Sequence, residues 1–110
     1  MKLNERPFEL VKSGKKQIEI RLNDEKRSQI EVGDIIVFSK LPDLQENIEV
    51  EVLELLKYPT FKELVENCDL SDFGYSNDDY TKDEFVELIY AIYTKEQEEK
   101  YGILGIRIKL

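Results

Sequence analysis

Histidine and tryptophan are absent from the 110-residue chain, and cysteine and methionine occur once each. The missing imidazole removes the commonest general base, every Ser-His-Asp or Cys-His arrangement and most zinc sites. Any catalysis therefore falls to Glu, Asp, Lys, Arg, Tyr or hydroxyl groups. A lone Cys68 excludes an internal disulfide and fits a reducing compartment. Its acidic neighbours Glu63, Glu66 and Asp69 raise a thiol pKa, so it is discounted as a nucleophile. Long apolar runs are missing too: none approaches the roughly 20 residues that cross a bilayer. Met1 through Pro7 lacks the apolar core of a signal peptide. A cytoplasmic protein with no membrane partner is expected.

The chain does hold 41% hydrophobic and 36% charged residues, the balance of a soluble globular protein with one modest core. The net charge of −8 argues against broad binding to a nucleic-acid backbone. That charge is unevenly placed. Residues 1–40 hold nine Lys and Arg against seven Asp and Glu, a balance of +2, whereas residues 41–110 hold seven against seventeen, a balance of −10. An anionic ligand should be met by the N-terminal third.

Phe8, Leu10 and Val11 between Pro7 and Gly14 predict a short first helix. From Lys16 to Leu22 polar and apolar residues alternate. This predicts a strand with Ile18, Ile20 and Leu22 on one face and Gln17, Glu19 and Arg21 on the other. Asn23 to Ser28 reads as a charged loop, Gly33-Asp34 as a turn, and Ile35 to Phe38 as a buried strand broken at Leu41-Pro42-Asp43. Residues 47–58 alternate again and predict a half-solvated strand ending at Tyr58-Pro59.

Thr60 and Glu63 have capping-box spacing and start a helix. Residues 67–80 read as a loop carrying Phe73, Tyr75 and Tyr80, and a loop of that length in a small domain is often functional. Thr81 and Glu84 open another helix that runs to about Tyr93. Thr94 and Gln97 repeat the capping pattern before an acidic turn ending at Tyr101-Gly102, and a closing strand follows from Ile103. Short strands with partial helical cover indicate one α+β domain over residues 1–110, a small mixed β-barrel with flanking helices.

The polar face of the first long strand is chemically richer than stability requires, and it reads as the floor of a ligand pocket. Lys16 suits a phosphate or a polarised carbonyl. Arg21 suits bidentate binding of an anion. Glu19 is read first as the group that orients both. Lys26 and Arg27 supply loop cations able to touch phosphate. Tyr75, Tyr80 and Tyr93 offer rings for stacking on a base.

Pro7-Phe8, Ser13-Gly14-Lys15-Lys16, Ile18-Glu19-Ile20-Arg21-Leu22, Asp24-Glu25-Lys26-Arg27 and Ile30 through Phe38 resemble the ASCH domain. Ile89 to Tyr93 and Lys100-Tyr101-Gly102 extend the likeness over nearly the whole chain. The resemblance implies a PUA-like barrel, associated with RNA, whose cleft between barrel and helices takes a nucleotide, a nucleoside or an RNA segment. One enzymatic branch of that family removes the acetyl group from N4-acetylcytidine. Carried over residue by residue, its catalytic lysine falls on Lys16 and its catalytic glutamate on Glu84. Its threonine falls on Glu19, a departure from the pattern.

A carboxylate there replaces a hydroxyl nucleophile and would serve as a base on water instead. Binding of RNA or a modified nucleotide by Lys16, Glu19, Arg21, Lys26, Arg27 and Tyr93 is therefore ranked first. A histidine-free hydrolase, amidohydrolase-like or a ribonuclease, using Lys16, Glu19 and Glu84, is second, and a protein-interaction domain using the acidic remainder is third. No cofactor and no metal is expected.

Overall fold

The computed structural model describes residues 1–110, and its organising element is a five-stranded half-barrel. The elements run β1 (Lys2–Leu3), α1 (Glu5–Lys12), β2 (Ile18–Leu22), β3 (Ile35–Lys40), β4 (Asn47–Tyr58), α2 (Phe61–Glu66), α3 (Lys82–Tyr90), α4 (Lys95–Tyr101) and β5 (Ile103–Lys109). Strand order is β1-β3-β4-β5-β2, antiparallel throughout except for the parallel β1/β3 pair. The expected α+β barrel with flanking helices is therefore present, and its two edges, β1 and β2, stay unpaired with each other.

The closing strand β5 lies in the sheet interior, paired to β2 on one side and β4 on the other. Its alternating side chains feed two cores. Leu104, Ile106 and Ile108 join Leu3, Phe8, Val11, Phe38, Val50 and Val52 under α1. Ile103 joins Ile18, Leu22 and the apolar faces of α2 and α3 on the opposite side. A strand buried on both faces reads as a near-continuous apolar run, which explains Ile103-Leu104-Gly105-Ile106. Gly105 is needed for space. A methyl group there would sit 2.9 Å from Leu64 Cδ1 and 3.3 Å from Leu56 Cβ.

Three local expectations change. The segment after Thr94 is a helix, α4, because its capping box closes at both ends: Thr94 Oγ1 accepts from the Gln97 amide and Gln97 from the Thr94 amide. Its Glu98 turns inward, 8% exposed, and accepts from the Phe61 amide at 2.8 Å and from the Tyr90 hydroxyl at 2.9 and 2.8 Å. Burial and this carboxylate push the Tyr90 hydroxyl up to about 12. Helix α3 ends at Tyr90 rather than near Tyr93, since Thr94 starts the next helix. The 67–80 segment contains a 3-10 turn, Leu70–Asp72, that seats Leu70 and Phe73 in the core. No helix is long and apolar enough to cross a membrane.

Gly105→Ala should lower stability by about 1–3 kcal/mol through overpacking against Leu64 and Leu56. Urea denaturation reads this as a lower midpoint at unchanged slope. A variant as stable as the parent would mean that Leu64 has room to move aside.

Candidate functional site

The polar face of β2 turns into the half-barrel instead of out to water. Glu19 pairs with Ile106 and Arg21 with Leu104, so both side chains enter on the same sheet face as those core residues. Glu19 is 4% exposed, a buried carboxylate that demands partners. It has them. Lys16 Nζ donates to Oε1 at 2.9 Å, Arg21 Nη2 lies 3.4 Å from Oε2, and the free-edge amide of Ile20 donates to Oε1 at 3.0 Å. Burial alone would raise the Glu19 carboxyl, but the Lys16 and Arg21 charges outweigh it and hold it below the usual carboxylate range.

Lys16 is placed from both sides. Its amide donates to the Leu10 carbonyl at the end of α1, and its backbone bridges Phe73 of the aromatic segment. Gly74, at φ +92°, lets that segment approach closely; an added Cβ would meet Leu10 Cδ1 at 3.2 Å and Lys16 Cβ at 3.4 Å. Arg21 reaches across the open seam of the barrel. Its Nη2 donates to the Lys2 carbonyl at 3.1 Å, joining edge strand β2 to edge strand β1 by one side chain.

A cavity of about 280 Å³ opens over this cluster. Lys16, Glu19 and Arg21 form its polar floor, and Tyr75, Phe85 and Tyr93 are among its walls. Phe85 packs against Phe73 at 5.1 Å and Tyr75 at 5.6 Å between ring centroids, and Tyr80 braces Tyr75 from behind at 5.4 Å. Tyr93 stacks on buried Phe61 at 5.7 Å and 18° between planes. Burial pushes the Tyr93 hydroxyl above its ordinary value, against the opposing pull of Arg21 and Arg27, so it remains a proton donor at neutral pH. Leu88 and Ile92 line the same cavity while 44% and 75% exposed, an apolar rim open to solvent.

A second cavity, of about 450 Å³, lies on the other side of Arg21 and is lined by Lys2, Arg21, Lys26, Arg27 and Ile30 together with Met1. Asp24 fixes Arg27 there, accepting from Nη1 at 3.1 Å and from the Arg27 amide at 2.9 Å.

The structure thus brings Lys16, Glu19, Arg21 and Tyr93 to one cavity and Lys26 and Arg27 to the adjoining one through shared Arg21. It does not bring Glu84. That side chain is exposed and accepts from the Thr81 amide at 2.9 Å in the α3 capping box, while the residue after it, Phe85, faces the cavity. The reason is the cap: Glu84 is the third residue of α3, and its carboxylate is spent on the Thr81 amide. Phe85 and the rim pair Leu88 and Ile92 were missed as lining residues because their helical spacing reads equally well as core. No group of three or more His, Cys, Asp or Glu side chains is placed to hold a metal ion.

A family model for the ASCH domain matches residues 1–110. Among solved structures, the crystal structure of hypothetical protein PH0355 superimposes with a TM-score of 0.84 at 37% identity, over 99% of this chain and 94% of that one. A Pyrococcus furiosus protein determined by solution NMR superimposes with a TM-score of 0.71 at 33% identity, over 99% and 96% of the two chains. No curated protein matches.

Glu19→Gln should cost about 3 kcal/mol, because Lys16 and Arg21 would then lose their shared counter-charge in a buried setting. The folded-state value of Glu19 is depressed, so its contribution is fully present above the unfolded value and fades as pH falls through the folded one. Denaturation of parent and variant should differ by a constant amount from pH 8 to about 5, and the gap should narrow progressively below about pH 4 as the pH falls toward the depressed folded-state value. A gap that widens in acid would contradict the assignment.

Proposed function

The chain belongs to the ASCH domain family, a family linked in general to RNA binding, and from that premise and the pocket geometry we propose that it binds one nucleobase of RNA or of a modified nucleoside. The observation that carries this is the pairing of an ionised, buried Glu19 with two cations on the floor of an aromatic-walled slot. A base is a flat apolar ring with donors and acceptors only at its edge. The Tyr75, Phe85 and Tyr93 walls suit its faces, and the Lys16, Glu19 and Arg21 groups suit its edge. Glu19 supplies acceptor capacity, while Lys16 and Arg21 supply donors only. The slot therefore matches a base edge that carries both an amino or imino hydrogen and a carbonyl oxygen, as in cytosine, guanine or uracil.

Hydrolysis of an acylated base amine is the second reading, favoured by the desolvated Lys16–Glu19 contact of 2.9 Å. In that scheme Lys16 would polarise the acyl carbonyl and Glu19 would take a proton from attacking water. A general base works best with a pKa near the operating pH, and Glu19 is held in the opposite direction. Binding without chemistry is therefore preferred.

Short single-stranded RNA should bind at low salt, measured by fluorescence anisotropy. Arg21→Ala or Lys16→Ala should weaken it about tenfold or more, and Tyr93→Ala by about 1–3 kcal/mol for loss of one stacked base. Glu84→Gln should leave affinity unchanged. Unaltered affinity in all of the first three variants would sink the pocket assignment. Incubation with N4-acetylcytidine separates the second reading: cytidine release abolished by Lys16→Ala would establish hydrolysis in place of simple binding.

A further inference from the structure

Three buried side-chain polar atoms in the chain have no hydrogen-bond partner: Arg21 Nε, Arg27 Nε and Asn23 Oδ1. Buried polar atoms without partners are uncommon and costly, so each asks for a physical reason. Asn23 lines neither cavity described above. The other two are guanidinium N–H groups, and both arginines line the second cavity. The remaining arginines behave differently. Arg107 Nε donates to Glu54 at 3.2 Å, and Arg6 is solvent-exposed beside the Tyr75 ring.

Each orphaned arginine is also tethered at one end only. Arg21 spends Nη2 on Glu19 and the Lys2 carbonyl, and Arg27 spends Nη1 on Asp24. Arg27 keeps its Nε–H and Nη2 edge, the side that forms paired bonds with oxyanions, and Arg21, whose Nη2 is spent, keeps Nε–H and Nη1. Lys2 and Lys26 add two further cations, both exposed and without a salt-bridge partner. Glu19 and Asp24, the acidic residues among these basic ones, are each already engaged by a cation. The cavity thus carries positive charge in a chain whose net charge is −8. Lys2 and Arg21 line both cavities, so the two spaces adjoin.

We infer that Arg21, Lys26 and Arg27 form a phosphate subsite beside the base slot, so that the preferred ligand is a nucleotide and not a bare nucleoside. The identification of the neighbouring slot as a base site rests on the function proposed above; the anion subsite does not. An entering phosphate turns each guanidinium slightly and supplies the acceptor that both Nε–H groups lack. Arg21 then touches phosphate, Glu19 and the β1 carbonyl together, which couples ligand binding to closure of the seam.

The test uses the full chain in two arms. In the first, the 15N-labelled protein is titrated with inorganic phosphate at constant ionic strength. The Nε–Hε resonances of Arg21 and Arg27 should shift and saturate in the millimolar range, while those of Arg6 and Arg107 stay in place. In the second, calorimetry compares cytidine, N4-acetylcytidine, guanosine, uridine and adenosine with their 3′- and 5′-monophosphates. At least one monophosphate should bind about tenfold or more tighter than its nucleoside, and Arg27→Ala should erase that gain without changing nucleoside affinity. Lys26→Ala, at an exposed position, should lower only the phosphate-dependent part and reduce its salt dependence.

Phosphate shifts without any nucleoside or nucleotide binding would keep the subsite and remove the base-slot reading. Nucleosides that bind as tightly as their monophosphates, with Nε–Hε signals unmoved by phosphate, would keep the base slot and overturn the subsite.

Discussion

One carboxylate sets the geometry of this protein's cleft. Glu19 is buried where an unpaired charge would be intolerable, and its two oxygens are divided between Lys16, Arg21 and the free-edge amide of Ile20. That arrangement fixes two flexible cations in one place on the cavity floor. Continuum reasoning says that such a cluster adds little net stability over an apolar equivalent. Its value lies in position: long side chains whose rotamers are chosen before any ligand arrives lose less entropy on binding.

The half-barrel explains why the cluster is accessible at all. A closed barrel would pair β1 with β2 and fill its interior with side chains. Here the two edge strands stay apart, and the Arg21 side chain spans the gap to the Lys2 carbonyl. Edge strands are exposed to unwanted pairing. Both are short, and the amide of Ile20 on the free edge is already used by Glu19. The same residues therefore protect an edge and build a floor.

Much of this was legible in the residues. The alternation from Lys16 to Leu22 placed Glu19 and Arg21 on one face, and the Gly33-Asp34 turn and the 47–58 alternation gave strands where they occur. The two-residue β1 was not legible, since Lys2-Leu3 carries no period and owes its pairing to β3. Helix α4 was hidden by its charge: Lys95-Glu96-Gln97-Glu98-Glu99-Lys100 shows no apolar face, and its one buried residue is a glutamate. Glu84 carried two readings, a cap and a site residue, and local backbone chemistry took it for the cap. The split of Arg21 between two cavities depends on side-chain direction at a seam, which no one-dimensional pattern encodes.

The inward turn of Glu98 has a mutational corollary. Its carboxylate is shared by the first amide of α2 and the hydroxyl of Tyr90, so three separate elements answer to one residue. Replacing Glu98 alone strands a hydroxyl and an amide, and replacing Tyr90 alone strands part of a charge. Substitutions at Glu98 and Tyr90 should therefore be non-additive. One position of the helix that looks most like interchangeable surface ties it to two neighbouring helices.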